Sequence, residues 1–154
     1  MFKKILLISS LLLCANVYAA GYLDTQYGQD GLEVHIKKIT IKKNIMTVIF
    51  EMENAGDEDI KSDSFPVSAV SYNTTDANHQ VLRDDAGKWM VSSISYTFSS
   101  DAIFTASHVP TVSYALKKGK KKIGWIKFET PNDGDWPIEL NFPDVTPFTL
   151  NKPQ

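Results

Sequence analysis

The sequence predicts an all-β domain, a two-sheet antiparallel sandwich of about seven to eight strands behind an N-terminal signal peptide. Three observations carry this. Several segments alternate apolar and polar residues with the period of two that a half-buried strand needs. Short Gly, Asp, Asn and Pro turns separate them, and no segment repeats apolar residues at helical spacing.

The chain opens on Met1-Phe2-Lys3-Lys4 and an apolar stretch, Ile5 to Cys14, broken only by Ser9 and Ser10. A basic start, a short apolar run and small residues at Val17 and Ala19 have the form of a secretory leader cut after Ala19. The run falls short of the roughly 20 residues that span a bilayer. Lipidation at Cys14 is the minor alternative, because Leu13 stands where such sites carry a small residue. Domain organisation follows as signal peptide 1–19, N-terminal extension 20–31 and sandwich domain 32–150. Loss of Lys3 and Lys4 takes Lys plus Arg from 16 to 14 against 18 acidic residues, moving the formal net charge from -2 to -4. A mildly acidic chain is a poor general nucleic-acid binder. Loss of Cys14 leaves no cysteine, so disulfides, thiol nucleophiles and cysteine metal sites are excluded together.

The strands follow in order. Leu32, Val34 and Ile36 share one parity and Ile39 and Ile41 the other, with Lys37-Lys38 at the switch, the mark of a bulge. After a turn at Lys42-Lys43-Asn44, Met46, Val48, Phe50 and Met52 alternate in a return strand, completing a hairpin. "NAGDEDI" reads as a loop and "SFPVSAVSYN" as one strand whose Pro66 places it at an edge or a start. "DANHQ" turns the chain toward a short return strand at Val81 and Leu82. Residues 83–114 lack regular alternation and read as one or two strands with a packed loop and a helical turn near Asp101. Gly124, Ile126 and Phe128, then Ile138, Leu140 and Phe142, flank "PNDGDWP" and read as a second hairpin, with Asp133-Gly134 as its tight turn.

The strand ending in Asn54-x-Gly56-Asp57, the later Gly119, and the strand Gly124-x-x-x-Phe128-x-x-Pro131 give a resemblance. The chain resembles the immunoglobulin-like sandwiches found in many exported bacterial proteins of unknown function, a family that includes the secreted immunoprotective antigen of mycobacteria. The resemblance spans Leu32 to Phe142 and implies an immunoglobulin-like fold with no catalytic residue.

Candidate chemistry is sparse. Lys117, Lys118, Lys120, Lys121 and Lys122 crowd around Gly119, and lysines there keep a strand edge in solution. The functional alternative is a basic surface, joined by Lys37, Lys38, Lys42 and Lys43, that meets an anionic envelope component or an acidic protein. No aromatic residue interleaves the run, which argues against single-stranded nucleic acid. His35, His79 and His108 are the three histidines and the candidate copper or zinc ligands, but no His-x-His or His-x-x-x-His spacing unites them. Met46, Met52 and Met90 could add soft donors, yet two alternate as core residues do. Asp57-Glu58-Asp59 and Asp84-Asp85 lack the spaced pattern of a calcium loop, and no Gly-x-Ser-x-Gly elbow is present. An enzyme site built from His108, Asp101 and a serine is a third alternative. The sequence thus predicts a periplasmic or secreted, non-catalytic binding protein needing no cofactor, with a metal-binding protein as the alternative.

Overall fold

The computed structural model describes the backbone of residues 21–92, 94–98 and 108–154, and side chains there except at 61–64, 94–98 and 108–114. The expected leader and the helical turn expected near Asp101 both lie outside the described residues. The strands in chain order are β1 (Asp24–Tyr27), β2 (Leu32–Lys42), β3 (Ile45–Asn54), β4 (Ile60–Pro66), β5 (Ser71–Asn73), β6 (Asn78–Gln80), β7 (Ile94–Phe98), β8 (His108–Leu116), β9 (Lys121–Glu129), β10 (Ile138–Asn141) and β11 (Phe148–Leu150). Among the described residues eleven strands exceed the expected seven to eight because several hold only three or four residues.

Two antiparallel four-stranded sheets, ordered β1-β2-β3-β9 and β11-β10-β5-β6, form the sandwich, and a three-stranded sheet β4-β8-β7 joins them. The first sheet grows from the β2–β3 hairpin, whose turn holds Lys43 at φ 57. Its register shifts between Ile36 and Lys38, where the parity switch predicts a bulge. The segment read as an extension supplies β1, paired along β2 from Asp24–Ile36 to Tyr27–Glu33. Val34, Ile36, Met46, Val48, Ile126 and Phe128 of this sheet face Tyr72, Ile138, Leu140, Phe148 and Leu150 of the other in one core. The Tyr72 and Phe128 rings meet edge to face at 5.4 Å, and Phe142 touches both Phe50 and Phe65 at 5.2 Å.

Three local expectations need correction. The second hairpin does not exist: β9 lies in the first sheet and β10 in the second, so residues 130–137 cross between layers. Gly134 takes no positive φ, and Asn132 and Asp135 instead close a 3₁₀ turn by a reciprocal capping box. "SFPVSAVSYN" is two strands, because Pro66 ends edge strand β4 and a 3₁₀ turn at Val67–Ala69 carries the chain into another sheet. The return strand after "DANHQ" starts at Asn78, three residues early, and pairs His79 with Tyr72. The lysine turn carries the chain from β8 in the three-stranded sheet to β9 in the first sheet.

Asn54, Gly56 and Gly119 meet in space. Asn54, fully buried, donates its amide to Glu58 O at 2.7 Å and Leu116 O at 3.0 Å, and its Oδ1 accepts from Gly56 N–H at 3.0 Å. Its backbone bonds Lys120 O and Gly119 N–H, so one residue holds both ends of the lysine turn.

Gly124 faces Phe50 across β3 and β9, and a Cβ there would stand 2.3 Å from Phe50 Cζ and 2.8 Å from Ser92 Oγ. The Phe50 ring is wedged against Phe142 and cannot step aside. Gly124→Ala is therefore expected to cost about 2–3 kcal/mol by overpacking, read by urea unfolding. A cost below about 0.5 kcal/mol would show that the ring relocates freely.

Candidate metal centre

The bulge in β2 decides what the first sheet shows to the outside. Because Val34 and Ile36 point inward with Phe50 and Met52 opposite them, Glu33, His35, Glu51 and Glu53 point outward. Register aligns two outward rows across the four strands, Thr25–His35–Glu51–Ile123 and Tyr27–Glu33–Glu53–Lys121. An acidic and imidazole cluster thus sits on rigid strands, away from any loop.

His35 is only 4% exposed although it faces away from the core, because the Tyr22 ring stacks on it at 4.3 Å and 9°. Its Nδ1 is 2.9 Å from Thr25 Oγ1. An Nδ1–H donated to that hydroxyl leaves the Nε2 lone pair free and aimed between two carboxylates. Nε2 makes no hydrogen bond, yet Glu53 Oε2 stands 3.4 Å away and Glu33 Oε2 3.6 Å away. Ligands bound to zinc at about 2.0–2.2 Å in a tetrahedron are separated by roughly 3.3–3.6 Å, so both spacings match tetrahedron edges. Among the described residues these three form a group whose ligand atoms all lie within 4.8 Å of one another. Glu33 and Glu53 are partly exposed, which leaves the fourth position open to water.

Glu51 supports the cluster from beside it. It accepts hydrogen bonds from Tyr22 Oη and Lys37 Nζ, the latter at 2.9 Å, and pairs with Lys121 at 3.3 Å. Desolvation pushes its carboxyl up, but the bonds from Tyr22, Lys37 and Lys121 outweigh that and bring it from 4.5 to about 2. The Glu51 bond in turn raises the Tyr22 phenol above its ordinary range. Lys121 Nζ also reaches Glu53 Oε2 at 2.5 Å, and that bond raises the ammonium pKa.

The other histidines are not gathered here. His79 lies on β6 in the opposite sheet, stacked on Tyr72 at 4.4 Å, with Nε2 3.5 Å from Thr74 Oγ1. His108 begins β8, and its side chain lies outside the described residues. Met46 and Met52 are core residues of the first sheet.

The lysine run does not form one surface. Lys117 and Lys120 are exposed on the turn, and Lys118 pairs with Asp57 at 2.9 Å while its N–H binds Asp59. Lys121 turns to the outer face with Glu51 and Glu53. Lys122, opposite Met52, turns to the other face and is half-buried. Lys42 and Lys43 sit at the far end of β3, nine strand steps or roughly 30 Å from the turn. The Asp84 carboxylate is occupied by the Ala86 and Lys88 N–H groups of its own turn.

Glu33, Glu51, Glu53 and Tyr22 are absent from the sequence-based candidates. For the three glutamates the signal was parity, since residues between inward apolar positions of a hairpin face outward together, whereas Tyr22 precedes β1 and carried none. Among the described residues no helix is long and apolar enough to cross a membrane. No protein family, curated protein or solved structure matches this chain.

Proposed function

We propose that the protein is an exported, non-catalytic binding protein of a bacterial envelope, related to the immunoglobulin-like sandwiches, and that its ligand is a divalent transition-metal ion held by Glu33, His35 and Glu53. One observation carries the reading: a buried imidazole nitrogen without a hydrogen bond points between two carboxylates at tetrahedral ligand spacing. One nitrogen and two oxygen donors suit Zn(II), Ni(II) or Cu(II), and the lack of sulfur disfavours Cu(I). Export rests on the form of the leader.

Metal analysis and zinc titration of untagged protein test this. One equivalent of zinc is expected to bind, with affinity falling at least about 100-fold in His35→Gln while the far-ultraviolet spectrum is retained. Absence of stoichiometric Zn, Ni or Cu would sink the reading.

A second reading keeps Lys117 and Lys120 as the contact for an anionic envelope component, favoured by their exposure at the turn. Asp57 and Asp59 beside them weaken that field.

A further inference from the structure

We propose that Lys121 is a tethered cation that competes with the bound metal for Glu53 and so sets the affinity of the centre, an inference that rests on the metal reading of Glu33, His35 and Glu53. The oxygen involved is a single atom. Glu53 Oε2, the one 3.4 Å from His35 Nε2, is also the one that accepts Lys121 Nζ at 2.5 Å. A divalent ion about 2.1 Å from that oxygen and an ammonium at its present place would stand roughly 4 Å apart. Like charges that close repel strongly at the edge of a protein.

The fold gives Lys121 somewhere to go. It lies directly opposite Glu53 in the β3–β9 register, and its Nζ already stands 3.3 Å from Glu51 Oε1. Its side chain is 46% exposed, so a small swing of the stem exchanges Glu53 for Glu51 and water. Lys37, by contrast, binds Glu51 Oε2 and reaches neither proposed ligand carboxylate at hydrogen-bond distance. One lysine therefore competes for a metal ligand, and the other holds the neighbouring carboxylate in place.

Charge counting points the same way. The carboxylates of Glu33, Glu51 and Glu53 against the ammonium groups of Lys37 and Lys121 leave one net negative charge; removal of either lysine would double it, and Lys121 stands apart because it holds the oxygen the metal would take. A stronger negative field binds a dication more tightly.

The test is zinc titration calorimetry on the untagged wild type, Lys121→Gln, Lys121→Arg and Lys37→Gln. Lys121→Gln is expected to bind zinc about tenfold to a hundredfold more tightly, Lys121→Arg to stay within about threefold of wild type, and Lys37→Gln to change far less than Lys121→Gln. Wild-type binding with equal or weaker affinity in Lys121→Gln would overturn this inference alone, recasting Lys121 as a support for Glu53. Equal tightening in both glutamine variants would also overturn it, since any cation nearby would then serve. A wild type that binds no zinc removes the metal reading and this inference together.

Discussion

Asn54→Ala is expected to destabilise the protein by about 4 kcal/mol and to lower its melting temperature by roughly 15 °C. The side chain is fully buried and makes three hydrogen bonds to backbone groups. Truncation leaves Glu58 O, Leu116 O and Gly56 N–H without it, each at about 1–3 kcal/mol if water does not replace the lost partner. The effect reaches beyond the local turn, because Leu116 ends β8 and Gly119 and Lys120 start the approach to β9. Thermal unfolding followed by circular dichroism measures it. A shift below about 3 °C would mean that water fills the place of the amide.

Glu51→Gln is expected to cost about 3 kcal/mol at pH 7 and much less in acid. The sign follows from the direction of the shift. The folded carboxyl titrates near about 2 and the ordinary one near 4.5, so the folded state favours the ionised form. That stabilisation is complete above about pH 5 and is lost as the pH falls through the folded pKa. Urea unfolding at pH 7 and pH 3 should therefore show the gap between wild type and variant shrinking to about half or less. A gap that stays constant would mean that Glu51 works by shape and not by charge.

Much of the first sheet was legible in the sequence, and so in principle was its outer face. Period-two apolar runs gave β2, β3 and β9, since burial on one side of a strand forces alternation. The parity switch at Lys37 located the bulge, and the bulge has a further meaning. Counting back from the turn pairs Lys42 with Ile45 and Lys38 with Ile49, which without a shift would set His35 against inward-facing Met52. The extra residue restores matching parity and sets His35 beside Glu51 and Glu33 beside Glu53. Which sheet a strand joins was not legible, because β9 and β10 alternate as hairpin arms do, and only packing sends them to different layers. Lys121 escaped for a similar reason: its neighbours Lys120 and Lys122 made it look like one of a run, whereas pleating points it to the opposite face from Lys122.

The crossing of β9 and β10 bears on how the chain folds as it emerges. β3 finds its second neighbour only in β9, and β5 finds its β10 partner later still. Until those segments appear, β3 offers a bare edge ten residues long, with Met46, Val48, Phe50 and Met52 unpacked along one side. Such an edge recruits other chains by strand pairing. Synthesis that stalls before residue 121 therefore yields a sticky half-sheet, and the last strands act as the closure that keeps each molecule to itself.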